Sequence, residues 1–98
     1  MRIRLSKSAR EELVEAIQYH EREREGIGQA LAEDIDRAVR LIAERPMVGS
    51  DIGKGERKYT IDRFRYNVIY RVEEKTVFVL AIAHHRRKPN YWRKRKHE

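Results

Sequence analysis

The 98-residue sequence contains no cysteine, which excludes a disulfide framework and a thiolate metal site. It also lacks long apolar runs, because the longest, Val77–Ala83, is far shorter than the roughly 20 residues of a membrane-spanning helix. No basic segment followed by an apolar one opens the chain as a secretory signal would. We therefore expect a cytoplasmic protein without membrane association, built as one domain over residues 1–98 around one modest core.

Positive charge is abundant and unevenly distributed. Lysine and arginine number 23 and aspartate and glutamate 16, which gives a formal net charge of +7. Residues 84–98 alone contain seven basic residues and one acidic residue, so the rest of the chain is nearly neutral. This distribution predicts one localised contact with an acidic partner, such as nucleic acid, a nucleoprotein or an acidic protein surface.

The first half of the chain has the pattern of a strand followed by two helices. Apolar and basic residues alternate in Met1–Leu5, which predicts a short strand. Ser8 and Glu11 have capping-box spacing, which predicts that a helix begins there and continues to about Glu25. After a short glycine-containing break, a second apolar stripe predicts a helix that ends at Arg45. Such a short connection predicts an antiparallel helical hairpin.

The second half is rich in tyrosine, valine, isoleucine and phenylalanine. A loop is predicted over Met47–Glu56, because this span contains three glycines. Strands are predicted at Lys58–Asp62, Arg65–Val72 and Thr76–Ala83. The last of these is apolar at every position, which is typical of a central strand with both faces covered.

Together these elements predict an α+β fold. An antiparallel two-helix hairpin should pack on an antiparallel sheet (β-α-α-β-β-β), with a basic C-terminal tail beside a partly polar sheet face. The predicted core comprises Leu13, Ile17, Leu31, Ile35, Ile42, Val68, Phe78 and Leu80. Tyr19, Tyr59, Tyr66 and Tyr70 could form a stacking platform, but their periodicity favours core positions.

Three stretches carry a resemblance to a known superfamily: "IGQALAEDIDRAVRLIAERP", "FRYNVIYRVEE" and "VFVLAIAHHRRKPNYW". With these in order, almost the whole chain resembles the RelE/ParE superfamily of bacterial and plasmid toxins from type II toxin–antitoxin systems. The resemblance implies a small toxin that is held inactive by a cognate antitoxin, whose tail usually wraps the toxin body. We expect it to need no cofactor.

Two activities divide this superfamily. RelE-like members cut messenger RNA in the ribosomal A site, and they resemble one another in lysines on the second strand, two arginines and a terminal tyrosine. Here Lys58 and Arg86 match that pattern, and either Tyr91 or Trp92 stands at the position of the tyrosine. Thr60 and Asn67 stand where the resemblance implies a lysine and an arginine. An RNA endonuclease would need such groups for proton transfer and for charge stabilisation in the transition state.

ParE-like members instead poison DNA gyrase and carry no recognised nuclease centre. The ending "AHHRRKPNYW" resembles the endings of these members, as does Phe64-Arg65-Tyr66 followed by "VIYRV". The resemblance therefore favours a gyrase inhibitor that acts by binding, with no catalytic residues. An inert member that binds only its antitoxin is a further alternative, and the oligomeric state is left open.

The candidate target-binding residues interleave cations with aromatic rings, as proteins that hold single-stranded nucleic acid often do. They are Arg86, Arg87, Lys88, Tyr91 and Trp92. Because Pro89 lacks a backbone N–H, we expect the last strand to stop near His85 and the chain to turn there. Trp92 should then pack on the sheet and fix the tail, while residues 93–96 form a frayed, solubilising end.

The histidines are ambiguous, because imidazole titrates near neutral pH. His84 and His85 are additional catalytic candidates in the endonuclease alternative, although structural hydrogen bonding at the strand end is favoured. Neighbouring strand residues point to opposite faces, so at most one of them should face a given site. No metal site is expected, since His20 and His97 share no recognisable ligand spacing with this pair.

Overall fold

The computed structural model describes residues 1–95. Its elements are β1 (Arg2–Leu5), α1 (Lys7–Glu23), α2 (Ile27–Glu44), β2 (Ser50–Gly53), β3 (Glu56–Ile61), β4 (Tyr66–Glu73), β5 (Thr76–His84) and a 3₁₀ helix, η1 (Tyr91–Lys94). The strands form a five-stranded sheet in the order β1-β5-β4-β3-β2, and both helices pack on one of its faces. The predicted α+β fold with a helical hairpin is thus confirmed. We call the other side of the sheet the open face.

Helix α1 begins two residues before the predicted position. Its N-cap is Ser6, whose Oγ accepts a hydrogen bond from the backbone N–H of Ala9 at 3.0 Å. The backbone N–H of Ser6 donates to the carbonyl of Val79 at 2.9 Å, which keeps Ser6 extended as the end of the strand pairing. The capping-box prediction at Ser8 was therefore wrong in position, because the tertiary contact with β5 selects the earlier serine.

The turn of the helical hairpin is closed by a side chain of the first helix. The carboxylate of Glu21 accepts hydrogen bonds from the backbone N–H groups of Gly26 and Gly28, each at 3.0 Å. A Cβ atom at Gly28 would lie 2.6 Å from the carbonyl oxygen of Ile17, so only glycine permits this close approach. The glycines therefore begin α2 and bring it against α1, while Arg45 caps the end of α2 where the sequence predicted it.

The sheet differs from the prediction at both of its edges. Strand β1 pairs with β5 in parallel, with Ile3 opposite Val77. The helical hairpin carries the chain from β1 to β2 at the far edge of the sheet, and the following strands return it until β5 lies beside β1. The other three pairings are antiparallel. At the other edge, β2 lies within the span that was predicted to be a loop. It has only four residues and its one half-buried side chain is Ile52, so no apolar alternation marked it in the sequence.

The main core lies between the helices and the sheet and contains most of the predicted residues. Leu31, Ile35, Ile42 and Val68 are buried there, with Leu13 and Ile17 packed against them. Phe78 and Leu80 were wrongly assigned to this core. Their neighbours Val77 and Val79 point toward the helices, and alternation therefore turns Phe78 and Leu80 to the open face.

Tyr70 is the largest fully buried side chain and links β4 to the loop before β2. Its hydroxyl donates to the carbonyl of Pro46 at 2.7 Å and accepts the N–H of Gly49 at 2.9 Å. Tyr66 is also buried and Tyr59 packs against the same core, which confirms the structural role of these three tyrosines. Tyr19 is the exception, with half of its surface exposed. Among residues 1–95, no helix is both long enough and apolar enough to cross a membrane.

Candidate target-binding site at the C-terminal segment

Strand β5 ends at His84, and the chain turns directly afterwards, as predicted. The N–H of Arg87 donates to the carbonyl of His84 at 2.9 Å, and the N–H of His85 donates to the carbonyl of Arg65 at 2.9 Å. These two bonds hold a turn on which Arg86, Arg87 and Lys88 are all exposed. We call these three residues the basic turn.

Trp92 packs back onto the open face, which confirms its predicted anchoring role in the fold. Only 9% of its surface is exposed, and it forms a small second core with Ile69, Ala81 and Ala83. Its indole Nε1–H donates to Glu56 Oε1 at 3.1 Å, so the polar edge of the ring is satisfied as well. Whether Trp92 also contacts a target stays a prediction.

Arg93 and Arg95 are held by hydrogen bonds rather than frayed, contrary to the prediction for residues 93–96. Arg93 Nε donates to Glu56 Oε1 at 2.7 Å, and its Nη2 donates to the carbonyl of Ile52 at 2.9 Å. Arg95 donates to Glu12 and to the carbonyl of Leu80. Lys96 lies outside the described residues. We call the segment Tyr91–Arg95 the clasp, because it joins β2, β3, β5 and α1.

Glu12 of helix α1 is the second carboxylate that holds the clasp. The register of β1 with β5 ends at Val79, so the edge of β5 beyond that point has no strand partner among residues 1–95. Glu12 occupies this edge, where its Oε1 accepts the N–H of Ile82 at 3.0 Å. Its Oε2 accepts the Tyr91 hydroxyl and the Arg95 guanidinium, each at 2.5 Å. One side chain thereby connects the helix, the unpaired strand edge and the clasp.

Tyr91 is poorly suited to proton transfer in this arrangement. Burial raises the pKa of its hydroxyl well above the usual range, and the hydrogen bond with Glu12 and the negative charge of that carboxylate raise the pKa further. The hydroxyl therefore stays protonated at neutral pH. Its ring lies under the guanidinium of Arg87, with the Arg87 Cζ 3.9 Å from the ring centroid.

The two adjacent histidines make structural hydrogen bonds. His84 Nδ1 accepts the N–H of Arg86 at 3.2 Å, and His85 Nδ1 lies 3.2 Å from the carbonyl oxygen of Arg65. Burial lowers the pKa of His84, as do the neighbouring charges of His85 and Arg86. The expectation that these two rings face opposite sides was wrong. Their centroids are 4.9 Å apart, because β5 ends at His84 and strand alternation no longer applies.

The endonuclease candidates are spread across the sheet. Lys58 lies on β3 opposite Ile69, which in turn lies opposite Ala81 of β5, so two interstrand spacings, about 10 Å, separate Lys58 from β5. Trp92 packs with Ile69 and Ala81 and covers the sheet surface between them. In the described part of the chain, the cavity beside His84, about 210 Å³, is lined by none of Lys58, Arg86 and Tyr91.

Thr60 and Asn67 stand where the RelE-like pattern has a lysine and an arginine, and their side chains contact each other. The Thr60 hydroxyl donates to Asn67 Oδ1 at 2.8 Å across the β3–β4 pair. These neutral side chains satisfy one another and supply no positive charge for a phosphate. Among residues 1–95, no group of three or more histidine, cysteine, aspartate or glutamate side chains could hold a metal ion.

The positioning of the site by Glu12 and Glu56 was not predicted from the sequence. Glu12 belongs to the acidic face of a helix, and Glu56 was placed in a loop. A buried carboxylate on β3, only 4% exposed, has no local sequence signal. The one available hint was the excess of cations at the C-terminus, which requires acidic partners wherever part of it becomes buried.

Comparisons with known proteins found a family with a matching sequence profile and a solved structure with a similar fold. The profile of the family described as "ParE toxin of type II toxin-antitoxin system, parDE" matches residues 3–89. Among solved structures, the chain is similar to one from the "Chromosomal ParDE TA system from P. aeruginosa", with a TM-score of 0.75 and 18% identity. That alignment covers 86% of this chain and 95% of the other, and at such identity it supports the fold alone. No curated protein matches the sequence.

Proposed function

The chain belongs to the ParE toxin family of type II toxin–antitoxin systems, and from this premise we propose that it inhibits DNA gyrase by binding it. In this proposal the protein performs no covalent chemistry. The basic turn is the contact surface, and the clasp holds that surface in place. A cognate antitoxin is the partner that the family implies, and it would keep the toxin inactive.

The proposal rests on one observation: some of the C-terminal cations are paired with carboxylates, and the others are not. Arg93 and Arg95 are paired with Glu56 and Glu12. Within residues 1–95, the three cations of the basic turn form no ion pair, and all are exposed. Unpaired cations on a turn held by backbone hydrogen bonds attract an acidic partner without a large ordering cost. Gyrase bound to DNA is an acidic nucleoprotein of the kind that such a surface fits.

The endonuclease alternative receives less support from the site. A general base or acid must reach the reacting oxygen and have a pKa close to the working pH. The Tyr91 hydroxyl instead donates to Glu12 and has a strongly raised pKa. Lys58 lies across the sheet from it, with Trp92 packed on the strands between.

A supercoiling assay with purified gyrase, relaxed plasmid and ATP tests the proposal. The wild-type chain should inhibit supercoiling, and Arg86→Glu with Arg87→Glu should weaken inhibition by at least about tenfold, because two attractive contacts become repulsive. Arg10→Glu with Arg22→Glu is the matched control. It makes the same change of charge on the exposed surface of α1 and should inhibit normally.

Three other outcomes would change the assignment. Full inhibition by the charge-reversed basic turn would place the contact surface elsewhere on the molecule. Cleavage of translated messenger RNA by the wild-type chain, lost in Lys58→Ala and Arg86→Ala, would establish the endonuclease alternative. A chain that binds its antitoxin but affects neither gyrase nor messenger RNA would be an inert member of the family.

A further inference from the structure

A cavity of about 210 Å³ lies beside the basic turn, on the helix side of the sheet. Its buried lining consists of Ala16, Tyr66 and Ile82, which all belong to the main core. The cavity is smaller than the roughly 300–1,000 Å³ of drug-sized ligand sites, so it suits a single ring system of a larger ligand. We call it the helix-side cavity.

Three aromatic rings line the helix-side cavity. The rings of Tyr66 and His84 are in edge-to-face contact, with their centroids 5.0 Å apart. Tyr19 of α1 supplies the third ring, and half of its surface is exposed. The Tyr19 hydroxyl donates to Glu23, and this hydrogen bond raises the pKa of Tyr19. A tethered, exposed ring at a cavity is available to stack on a ligand.

The guanidinium of Arg87 also lines the cavity, and its position is fixed from below. It lies over the ring of Tyr91, with its Cζ 3.9 Å from the ring centroid. The Tyr91 hydroxyl donates to Glu12, which is itself held at the edge of β5 by the N–H of Ile82. A cation that is ordered in this way loses little freedom when a ligand binds.

The site has cations outside and hydrogen-bonding groups inside. Glu15 lines the cavity and forms no ion pair within residues 1–95. In the same range, His84 Nε2 makes no hydrogen bond. Burial lowers the pKa of His84, so its ring is neutral near pH 7. An acidic side chain in the cavity would be repelled by Glu15, and a basic one by Arg87. A ligand with a neutral ring and a negative exterior matches both parts.

We propose that the helix-side cavity binds one unpaired nucleobase that carries an exocyclic amino group, while the neighbouring phosphates contact the basic turn. The base would stack on Tyr19 and donate its amino hydrogen to Glu15, since bases outside a duplex are held by stacking and by hydrogen bonds to their edges. The inference rests on the proposed function, because the DNA held by gyrase would supply the base.

Fluorescence anisotropy with short labelled oligonucleotides and the full chain tests this site. An oligo-dC strand should bind in a saturable, salt-sensitive manner. It should bind about fivefold more tightly than oligo-dT, because thymine has no amino group to donate to Glu15. An abasic strand of equal length keeps the phosphates but offers no ring. It should bind at least about tenfold more weakly than oligo-dC.

Tyr19→Ala should weaken oligo-dC binding about tenfold through lost stacking, whereas Tyr19→Phe keeps the ring and should bind normally. Glu15→Gln should narrow the preference for oligo-dC, because an amide can also donate to a thymine carbonyl. Val14→Ala is the matched control, since it shortens another exposed side chain of α1, and it should bind normally. Each variant is first checked for an unchanged circular dichroism spectrum.

Several results would overturn this inference. Equal affinity for oligo-dC and the abasic strand would do so, as would unchanged binding in Tyr19→Ala. Equal affinity for oligo-dC and oligo-dT would contradict the choice of an amino-bearing base. If a glutamate-rich peptide binds in place of the oligonucleotides, and Arg86→Glu with Arg87→Glu abolishes that binding, the ligand is an acidic protein segment instead.

The oligonucleotide and supercoiling assays separate the two proposals. If the wild-type chain inhibits gyrase but binds oligo-dC no better than the abasic strand, only the nucleobase site is wrong. If it binds oligo-dC through Tyr19 but does not inhibit gyrase, the nucleobase site stands and the proposed function fails.

Discussion

The basic turn and the clasp are adjacent in sequence and similar in composition, yet their environments are opposite. Arg86, Arg87 and Lys88 are exposed, whereas Arg93 and Arg95 are half-buried and paired. The partners of the clasp come from far away in the chain, since Glu56 precedes Arg93 by 37 residues and Glu12 precedes Arg95 by 83. A cation therefore becomes structural only where the fold brings a carboxylate within reach of it.

Burial makes this difference energetically important. An exposed ion pair typically contributes at most about 1 kcal/mol, whereas removing one partner of a buried pair leaves a charge that water cannot solvate. Glu56 is only 4% exposed and accepts hydrogen bonds from both Trp92 and Arg93. The clasp should therefore contribute to stability, while the basic turn should contribute mainly to binding.

Among the variants that test this difference, removal of the Trp92 side chain should have the largest effect on the free energy of unfolding. Trp92→Ala should lower the free energy of unfolding by roughly 3–5 kcal/mol, because it leaves a cavity over Ile69 and Ala81 and removes one of the two hydrogen bonds to Glu56 Oε1. Urea unfolding followed by circular dichroism measures this loss. A change below about 0.5 kcal/mol would show that the indole is not packed.

Leu31→Ala in the helix-side core is the matched control for that experiment. It should also cost roughly 2–5 kcal/mol, since Leu31 is fully buried. The two variants should differ in hydrogen exchange. Trp92→Ala should speed exchange of the clasp amides selectively, whereas Leu31→Ala should leave the clasp as protected as the rest of the folded chain.

Changes at Glu56 should have the next largest effect. Glu56→Ala should destabilise the protein by roughly 2–4 kcal/mol, because Trp92 Nε1 and Arg93 would lose a buried acceptor. Glu56→Gln keeps an oxygen acceptor in place and should cost less. Equal losses in the two variants, measured by thermal unfolding, would show that the negative charge of Glu56 matters more than its hydrogen bonds.

Shortening the chain should have a smaller effect. From the sequence, residues 93–96 were expected to form a frayed, solubilising end, whose removal would leave stability nearly unchanged. The structure revises this expectation to a loss of roughly 1–2 kcal/mol, because the bonds of Arg93 and Arg95 disappear. A chain that ends at Arg95 keeps both ion pairs and is the control. If the two truncated chains unfold at the same urea concentration, the ion pairs of the clasp contribute nothing measurable.

The smallest effect should be a dependence of stability on pH through His84. Its pKa is lowered in the folded state, so the unfolded chain binds the proton more readily and stability falls as the pH drops below about 6.5. Thermal midpoints between pH 7.5 and 5.5 should show this slope. His84→Gln, which retains an acceptor for the N–H of Arg86, should reduce it. An unchanged slope would assign the effect to other groups.

The regular elements were predictable because their signals are local. The stripes through Leu31 and Ile35, and the alternation of Tyr66, Val68 and Tyr70, follow from which side chains can be buried together. Errors occurred where a distant contact decided between local options. Val79 selected Ser6 over Ser8 as the helix cap, and β3 turned part of a predicted loop into β2.

A β-bulge in β5 is another feature that local sequence signals did not predict. Ile69 lies opposite Ala81 and Tyr70 opposite Val79, so Leu80 is an extra residue in β5. Its carbonyl instead accepts hydrogen bonds from Ser6 Oγ and from Arg95. The apolar run of β5 carries no periodic signal that could have revealed where the strand changes register.

The sequence by itself determined that the chain forms a helical hairpin on a sheet and that its positive charge is concentrated at the end, because periodicity and composition are properties of neighbouring residues. It also determined that the strand stops before Pro89, since proline has no backbone N–H to donate in any conformation. Only the tertiary structure decided which of the terminal cations are neutralised. That outcome depends on Glu12 and Glu56, and the free energy of a charge depends on burial and on partners that the fold alone brings together.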